Sequence, residues 1–407
     1  MNNKMKRVGI LTFHKSINNG AVMQAYSLAK RLQKENPDCI VEIIDYHMPK
    51  VEEAYKYTFW KSIASENLIL FFKRLGKRIL YPGYNRKMNS RTKIFASCLE
   101  QLPLSDFSLL DDKTEELFSY INTNYDVVIV GSDAVWNYIL RGFPNAYFPD
   151  DKVSVKKMSY AASCYGMDFL KCPEEERIHL REIFKEFSFL GVRDEATENF
   201  VKWSGCDKQP IHVCDPTVFL DVDDLPVNIN ELEKKLRKRG FDFNRPTIGI
   251  MGNEKMLKMI RSMYGKEYQI AALYIPLKDA DINLYDFTPY EWAYVFRYFK
   301  LTFTTYFHGT LLSLRNGVPV ICISLKTDFG KIHVPKTLDV LKRLGYESCY
   351  FETDYIQENV EGIKQKADEL LQRDMKYDII QSMEHEARTF DEFQKELSLL
   401  LKENEND

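Results

Sequence analysis

The stretch RVGILTFHKSINNGAVMQAYSLAKRLQKENPDCIVEIIDY, residues 7–46, decides the fold class. It opens with a short apolar run, passes through the turn-rich loop HKSINNG, and continues into AVMQAYSLAKRLQKE, where apolar residues recur at helical spacing. CIVEIIDY, residues 39–46, reads as a second strand. Two strands joined by one crossover helix make a βαβ unit, and short right-handed connections make its sheet parallel. The chain is therefore predicted to be α/β.

Working outward, the same pattern recurs twice. YDVVIVGSD contains a near-continuous apolar strand, residues 126–130, that ends in a Gly-Ser-Asp turn, and VKKMSYAAS, FLGVRDEATENFVKW and IHVCDPTVFLD carry the series to about Val222. The charged segment DDLPVNINELEKKLRKRGFDFNR suits a connection between domains. Beyond it, PTIGIMGN, YQIAALYIP, KLTFTTY and VPVICISL alternate with the helical stretches EKMLKMIRSMYG, PYEWAYVFRYF and GTLLSLRNG. The prediction is two Rossmann-like domains facing a cleft, the GT-B-like arrangement. Residues 1–222 form the first, with an aromatic-basic insertion at about 50–115; residues 223–377 form the second. Residues 378–407 supply a closing helix, long and unbroken from about Asp378 to Glu403, that packs back on the first half.

Composition narrows the function classes. A chain of 407 residues exceeds what one core usually serves, and 45% hydrophobic with 28% charged residues is ordinary for a folded globular protein. A net charge of -3, from 56 basic and 59 acidic residues, offers no field that would gather nucleic acid. Eight cysteines without a CxxC pair suggest neither zinc nor a disulfide framework, so a reduced, cytoplasmic setting is expected. The apolar part of MNNKMKRVGILTFHKS is too brief for a secretory signal, and no apolar run approaches the roughly 20 residues of a spanning helix. One segment departs from this plain picture. From Lys56 to Lys93 there are ten basic residues against one acid, Glu66, interleaved with aromatics. Such a run suits peripheral contact with the anionic inner face of a membrane, or equally a solvated lid.

Four loops carry candidate chemistry. Asn18, Asn19 and Gly20 precede a helix whose free N–H groups would hold an anion or sugar hydroxyls, unless the loop is an ordinary capped turn. In VIVGSDAVWN, Ser132 offers a hydroxyl and Asp133 a carboxylate able to take a proton from a sugar hydroxyl, or else to cap the next helix. Trp136 there is either a sugar-stacking ring or a core aromatic. Arg193, just past an apolar strand, presents a planar guanidinium that matches a carboxylate or phosphate bidentately, or a neighbouring acid. Asp215 and Pro216 read as a turn, and His14, His47, His179, His212, His333 and His385 show no partner pattern. In TYFHGT, residues 305–310, His308 stands where a strand hands over to a helix opened by Gly309 and Thr310, a corner suited to an anion.

GILTFHKSINNGAVMQAYSL, VIVGSDAVWN, YFPD, SYAAS, VRDE, DPTVFLD and TYFHGTLLSLRNGVPVI, in this order, resemble the polysaccharide pyruvyl transferase family from about Arg7 to Leu325. The resemblance implies a GT-B-like fold and transfer of pyruvyl from phosphoenolpyruvate to sugar hydroxyls of a glycan, such as a lipid-linked oligosaccharide of exopolysaccharide or capsule assembly, closing a cyclic ketal. It implies no metal or organic cofactor. Arg193 and His308 match the family's phosphoenolpyruvate positions, with Gly309 and Thr310 beside them; His308 and Asp133 would be catalytic; Asn18, Asn19, Gly20, Ser132 and Trp136 would face the acceptor. Two departures stand out. One branch has arginine where this chain has Tyr306, and many members have Gln where it has Ala134. A cation is thus missing from the donor site, and Arg315 and Lys326 lie nearby in sequence. A GT-B glycosyltransferase using a nucleotide sugar and a catalytically silent glycan-binding protein remain open on these residues.

Overall fold

The computed structural model describes residues 5–48, 93–110, 114–139, 142–327, 329–355 and 358–403. Two parallel sheets organise them. The first contains β1 (Lys6–Leu11), β2 (Cys39–His47), β3 (Leu104–Leu110), β4 (Val127–Val130), β5 (Lys156–Ala162), β6 (Phe187–Val192) and β7 (Ile211–His212), in the order β3-β2-β1-β4-β5-β6-β7. The second contains β8 (Thr247–Met251), β9 (Gln269–Ala272), β10 (Ile282–Asn283), β11 (Leu301–Thr304), β12 (Val320–Leu325) and β13 (Tyr350–Thr353), in the order β10-β9-β8-β11-β12-β13. Both orders reverse beside the first strand of their series. In an open parallel sheet that reversal, at the carboxyl ends of the strands, leaves a crevice for ligands.

The helices that shape the cleft are α1 (Asn19–Glu35), α2 (Glu195–Ser204), α3 (Pro289–Val295), α4 (Phe307–Arg315) and α5 (Lys336–Arg343), and the chain closes with α6 (Lys376–Ala387) and α7 (Thr389–Glu403). Central strands such as β4, sequence VVIV, are buried throughout, as expected when helices cover both faces of a parallel sheet. The halves share packing. One cluster of buried side chains runs from Val8, Ile10 and Met23 to Trp292, Leu311 and Leu312, and the rings of Tyr26 on α1 and Tyr290 on α3 meet edge to face at 5.2 Å. The GT-B-like cleft is therefore closed at its base by apolar contact.

The carboxyl-terminal segment packs back on the first sheet. Phe393 lies 4.8 Å from Tyr160, and the amides of Asn36 and Gln394 exchange hydrogen bonds at 2.8 and 3.2 Å. It is two helices, however, where one was expected. The chain turns at Arg388 because the Thr389 hydroxyl donates to the Glu386 carbonyl, at 2.8 Å, while accepting from the Cys214 amide, also at 2.8 Å. A second difference lies in the expected insertion, whose residues 104–110 form edge strand β3 of the first sheet. The basic run from Lys56 to Arg91, and the membrane contact read from it, lie outside the described residues. Among the described residues no helix is long and apolar enough to cross a membrane.

Candidate functional site

His308 occupies the first turn of α4, after the carboxyl end of β11. Tyr306 precedes the helix without a side-chain cap, and the first backbone bond closes from the Thr310 amide to the Tyr306 carbonyl at 3.1 Å. The earlier amides of the turn have no intrahelical acceptor. The imidazole leaves its own half and lies against Gly20 on α1. A Cβ on residue 20 would stand 2.6 Å from His308 Nε2 and closer still to Cδ2 and Cγ, so only glycine admits the ring here. Nδ1 is buried with no hydrogen-bond partner among the described residues. Burial pushes the imidazole pKa down; Arg193 and Lys336 act in the same direction, while Asp215 and Asp133 oppose them.

Arg193 follows β6 directly and is only 4% exposed. The next residue, Asp194, caps α2, accepting from the Thr197 amide at 3.0 Å and the Ser163 hydroxyl at 2.6 Å. Arg193 Nη1 donates to Asp215 Oδ2 at 3.0 Å, with Asp133 Oδ1 4.0 Å away. Asp194 Oδ2 lies 3.7 Å from Nε, an ion-pair distance without a hydrogen bond. Nε and Nη2, the side edge of the guanidinium, are thus buried and, among the described residues, without a hydrogen-bond partner. Two charged donors left open inside a protein carry a desolvation cost that a bound anion would relieve. Asp215 forms the expected Asp-Pro turn, accepting from the Thr217 amide at 3.0 Å and from its hydroxyl, and with its other oxygen it holds Arg193. Burial alone would raise the Asp215 pKa, but His308 and Arg193 outweigh it and hold the carboxyl below its ordinary value.

A second cation stands beside this arginine. Lys336, the first residue of α5, places Nζ 5.1 Å from the Phe307 ring centroid and 4.7 Å from that of Tyr165. Arg193 Cζ lies 5.0 Å from the same Phe307 ring, so two cations flank one phenyl group. Burial, then repulsion from Arg193, lowers the Lys336 pKa to about 8. Arg193, Asp215, Phe307 and Lys336 line one narrow cleft. Ser132 and Asn19 are buried, with Oγ and Oδ1 unpartnered among the described residues, and Asn18 caps α1 by accepting from the Gly20 amide at 3.0 Å. Asp133 sits at φ 82°, its Oδ1 accepting from the Ala134 amide at 2.7 Å. No helix follows it over residues 134–139, so its carboxylate is not a helix cap.

A family model described as polysaccharide pyruvyl transferase matches residues 18–327. The chain belongs to the polysaccharide pyruvyl transferase family. No curated protein matches it in sequence. Among solved structures it resembles UDP-GlcNAc 2-epimerase from Methanocaldococcus jannaschii, with TM-score 0.52 and 13% identity over 91% of this chain and 94% of that one. It also resembles UGT89C1 of Arabidopsis thaliana, solved with UDP, with TM-score 0.51 and 9% identity over 96% and 99% of the two chains. At these identities the likeness shows the GT-B fold.

For a pyruvyl transferase family member, several expected site residues sit elsewhere than the sequence suggested. Trp136 is fully buried, donates from Nε1 to the Tyr147 carbonyl at 3.1 Å, and packs against Phe184, so it offers no face to a sugar. Thr310 is also fully buried, and its hydroxyl lies 3.3 Å from the Tyr306 carbonyl within its own helix. At Gly309 the missing side chain lets α4 settle on the sheet, since a Cβ would meet Thr304 Oγ1 at 2.5 Å and Met251 Sδ at 2.7 Å. The two cations near in sequence are occupied away from the cleft. Lys326 pairs with Asp354 at 2.7 Å, and Arg315 with Glu384 and the Leu220 carbonyl. Sequence reasoning missed Lys336 and the second role of Asp215. The available signal for the lysine was VPKTLDVLKRLG, an amphipathic stretch that opens with a cation where a helix ordinarily takes an acid.

Proposed function

We propose that the protein transfers the pyruvyl group of phosphoenolpyruvate to two hydroxyls of a glycan, forming a cyclic ketal and releasing phosphate. The observation that carries this reading is the edge of Arg193 that is unpartnered among the described residues, buried in a cleft it shares with Phe307 and Lys336. Phosphoenolpyruvate is a small, highly charged enol phosphate carrying a carboxylate. In this scheme the Arg193 fork takes the carboxylate, while the free amides of α4 and the imidazole of His308 take the phosphate. Asp133 and His308 receive the protons of the attacking hydroxyls. The acceptor would approach from the side of Gly20, the α1 residue against which the His308 ring rests.

The acceptor class follows from the family, and a lipid-linked oligosaccharide is the form we propose, because the sequence from Lys56 to Lys93 suits an anionic lipid surface. The test incubates purified protein with phosphoenolpyruvate and membrane-extracted glycans, reading phosphate release and a mass gain on the glycan. Transfer of sugar from a nucleotide sugar, without phosphate release from phosphoenolpyruvate, would replace this reading with a glycosyltransferase. Unchanged glycan modification in cells carrying His308→Ala and Arg193→Ala would leave only a binding role.

A further inference from the structure

We infer that Lys336 is the acid that protonates the methylene carbon of phosphoenolpyruvate, an assignment that rests on the reading above. Pyruvyl transfer cannot begin as substitution at phosphorus. The enol must gain a proton at C3 so that C2 becomes electrophilic, and some group in the site must supply it.

The candidates can be separated by what holds each one. Arg193 does not give up a proton in a protein. Both carboxylates nearest it are engaged as acceptors, Asp194 from the Thr197 amide and the Ser163 hydroxyl and Asp215 from the Thr217 amide. His308 is favoured as the neutral imidazole by its burial, which suits a base. Tyr165 is a poor donor because burial raises its phenol. Lys336 differs from all of these. Its ammonium rests between two aromatic faces, which hold a cation but accept no proton, and among the described residues no carboxylate lies within ion-pair distance of it. Other lysines here are spent: Lys15 on Asp45 at 2.7 Å, Lys326 on Asp354 at 2.7 Å, and Lys157 on the Asp150 carbonyl at 2.8 Å. The rings thus keep an ammonium beside Arg193 with its protons uncommitted. Its pKa of about 8 suits donation near neutral pH.

An Nζ–H bond of Lys336 breaks as the C3–H bond forms, leaving a neutral amine and a cationic C2. The first sugar hydroxyl bonds to C2, and its proton passes to His308 or Asp133 and then through solvent back to the amine. The C2–O bond to phosphate breaks, the second hydroxyl bonds to C2, and its proton passes through Asp133 or His308 to the departing phosphate. Nothing is oxidised or reduced.

The test uses the full-length protein with phosphoenolpyruvate and membrane-extracted glycans in ²H₂O. Wild-type protein that releases no phosphate would refute the functional reading itself. With an active wild type, the transferred methyl group acquires one deuterium. Lys336→Arg keeps the charge but puts there a cation too weakly acidic to give up a proton. It should bind phosphoenolpyruvate within about threefold of wild type, by calorimetry, while turnover falls by about 10²- to 10⁴-fold. Lys336→Ala, if folded by its thermal melt, should regain activity with added methylamine. The groups facing Lys336 are Arg193, Asp133, Asp194, Asp215, His308 and Tyr165. Of these and Lys336, the wild-type kcat/KM should report Lys336 as a loss above about pH 8, and this limb should vanish from the residual activity of Lys336→Arg. Turnover of Lys336→Arg within tenfold of wild type, with the same basic limb, would show that Lys336 supplies charge alone and would overturn the assignment.

Discussion

Gly20→Ala separates a stability effect from a site effect. Residue 20 lies in the first turn of α1, where alanine is favoured over glycine by as much as about 1 kcal/mol, so local backbone energetics predict a neutral or slightly stabilising change. The added methyl, however, would start 2.6 Å from His308 Nε2 and nearer to Cδ2 and Cγ, whereas ordinary contact begins at 3.4 Å. The ring must therefore retreat by roughly 1 Å or more, by rotating about its side-chain bonds or by parting the two halves. A misplacement of about 1 Å at a catalytic group costs on the order of 10²-fold in rate. The assay pairs a thermal melt with phosphate release from phosphoenolpyruvate in the presence of glycan acceptor. The strain of moving a buried ring offsets the helix gain, so the expected outcome is a Tm within a few degrees of wild type, or lower, with kcat/KM down about a hundredfold. Activity within threefold of wild type at unchanged Tm would refute the placement of the His308 ring against α1 as a requirement for function.

Arg193→Lys keeps a charge for Asp215 but removes the two-pronged edge, so phosphoenolpyruvate should bind about 10- to 100-fold more weakly by calorimetry; affinity within threefold of wild type would place the anion elsewhere. Trp136→Phe loses one buried hydrogen bond and some packing, which predicts roughly 1–3 kcal/mol less stability in urea and an unaltered acceptor KM; a tenfold rise in KM at full stability would put the indole on the sugar. The third prediction concerns acid. Burial opposes ionisation of Asp45, but hydrogen bonds from His14, Lys15 and Ser108 prevail and hold its carboxyl well below the ordinary range. A lowered folded-state pKa stabilises above the unfolded value, about 3.9, and that stability drains away as pH falls below it. Asp45→Asn should therefore lose stability at pH 7, by about 1–3 kcal/mol, and show a shallower decline below pH 4 than wild type. Equal acid slopes would remove Asp45 from the account.

Local pattern made much of this architecture legible. Residues 7–46 could be read because apolar runs, a polar loop and a helical period follow one another within forty residues, each signalling its element without help from the rest of the chain. The features that escaped are those settled at a distance. Near Arg388 no glycine or proline interrupts HEARTFDEF, and the one local mark of a new helix is Thr389 with Glu392 three residues on; what holds the Thr389 hydroxyl at the turn is the distant Cys214 amide. Trp136 follows a ligand-like loop in sequence, and only the fold brings Phe184 and Phe187 around its ring. Asp215 looks like a turn residue and is one, yet its second oxygen is free to hold an arginine from the neighbouring strand end.

Lys336 belongs to the same class of distant facts, and its placement bears on Tyr306. An arginine at position 306 would have entered from the loop between β11 and α4, next to His308. Here that position holds an aromatic ring that packs against Tyr274 at 5.0 Å, while the cation arrives from the start of α5 on the other side of Phe307. That site is unfavourable for a lysine standing alone. It faces the positive end of a helix, it lies near Arg193, and burial works against its charge. Each of these costs diminishes when an anion occupies the cleft, because the anion meets the ammonium, the guanidinium fork and the helix end together. On the reading proposed above, an anion bound in the cleft explains a cation kept where the empty protein disfavours it, and Lys336 supplies the charge that Tyr306 does not.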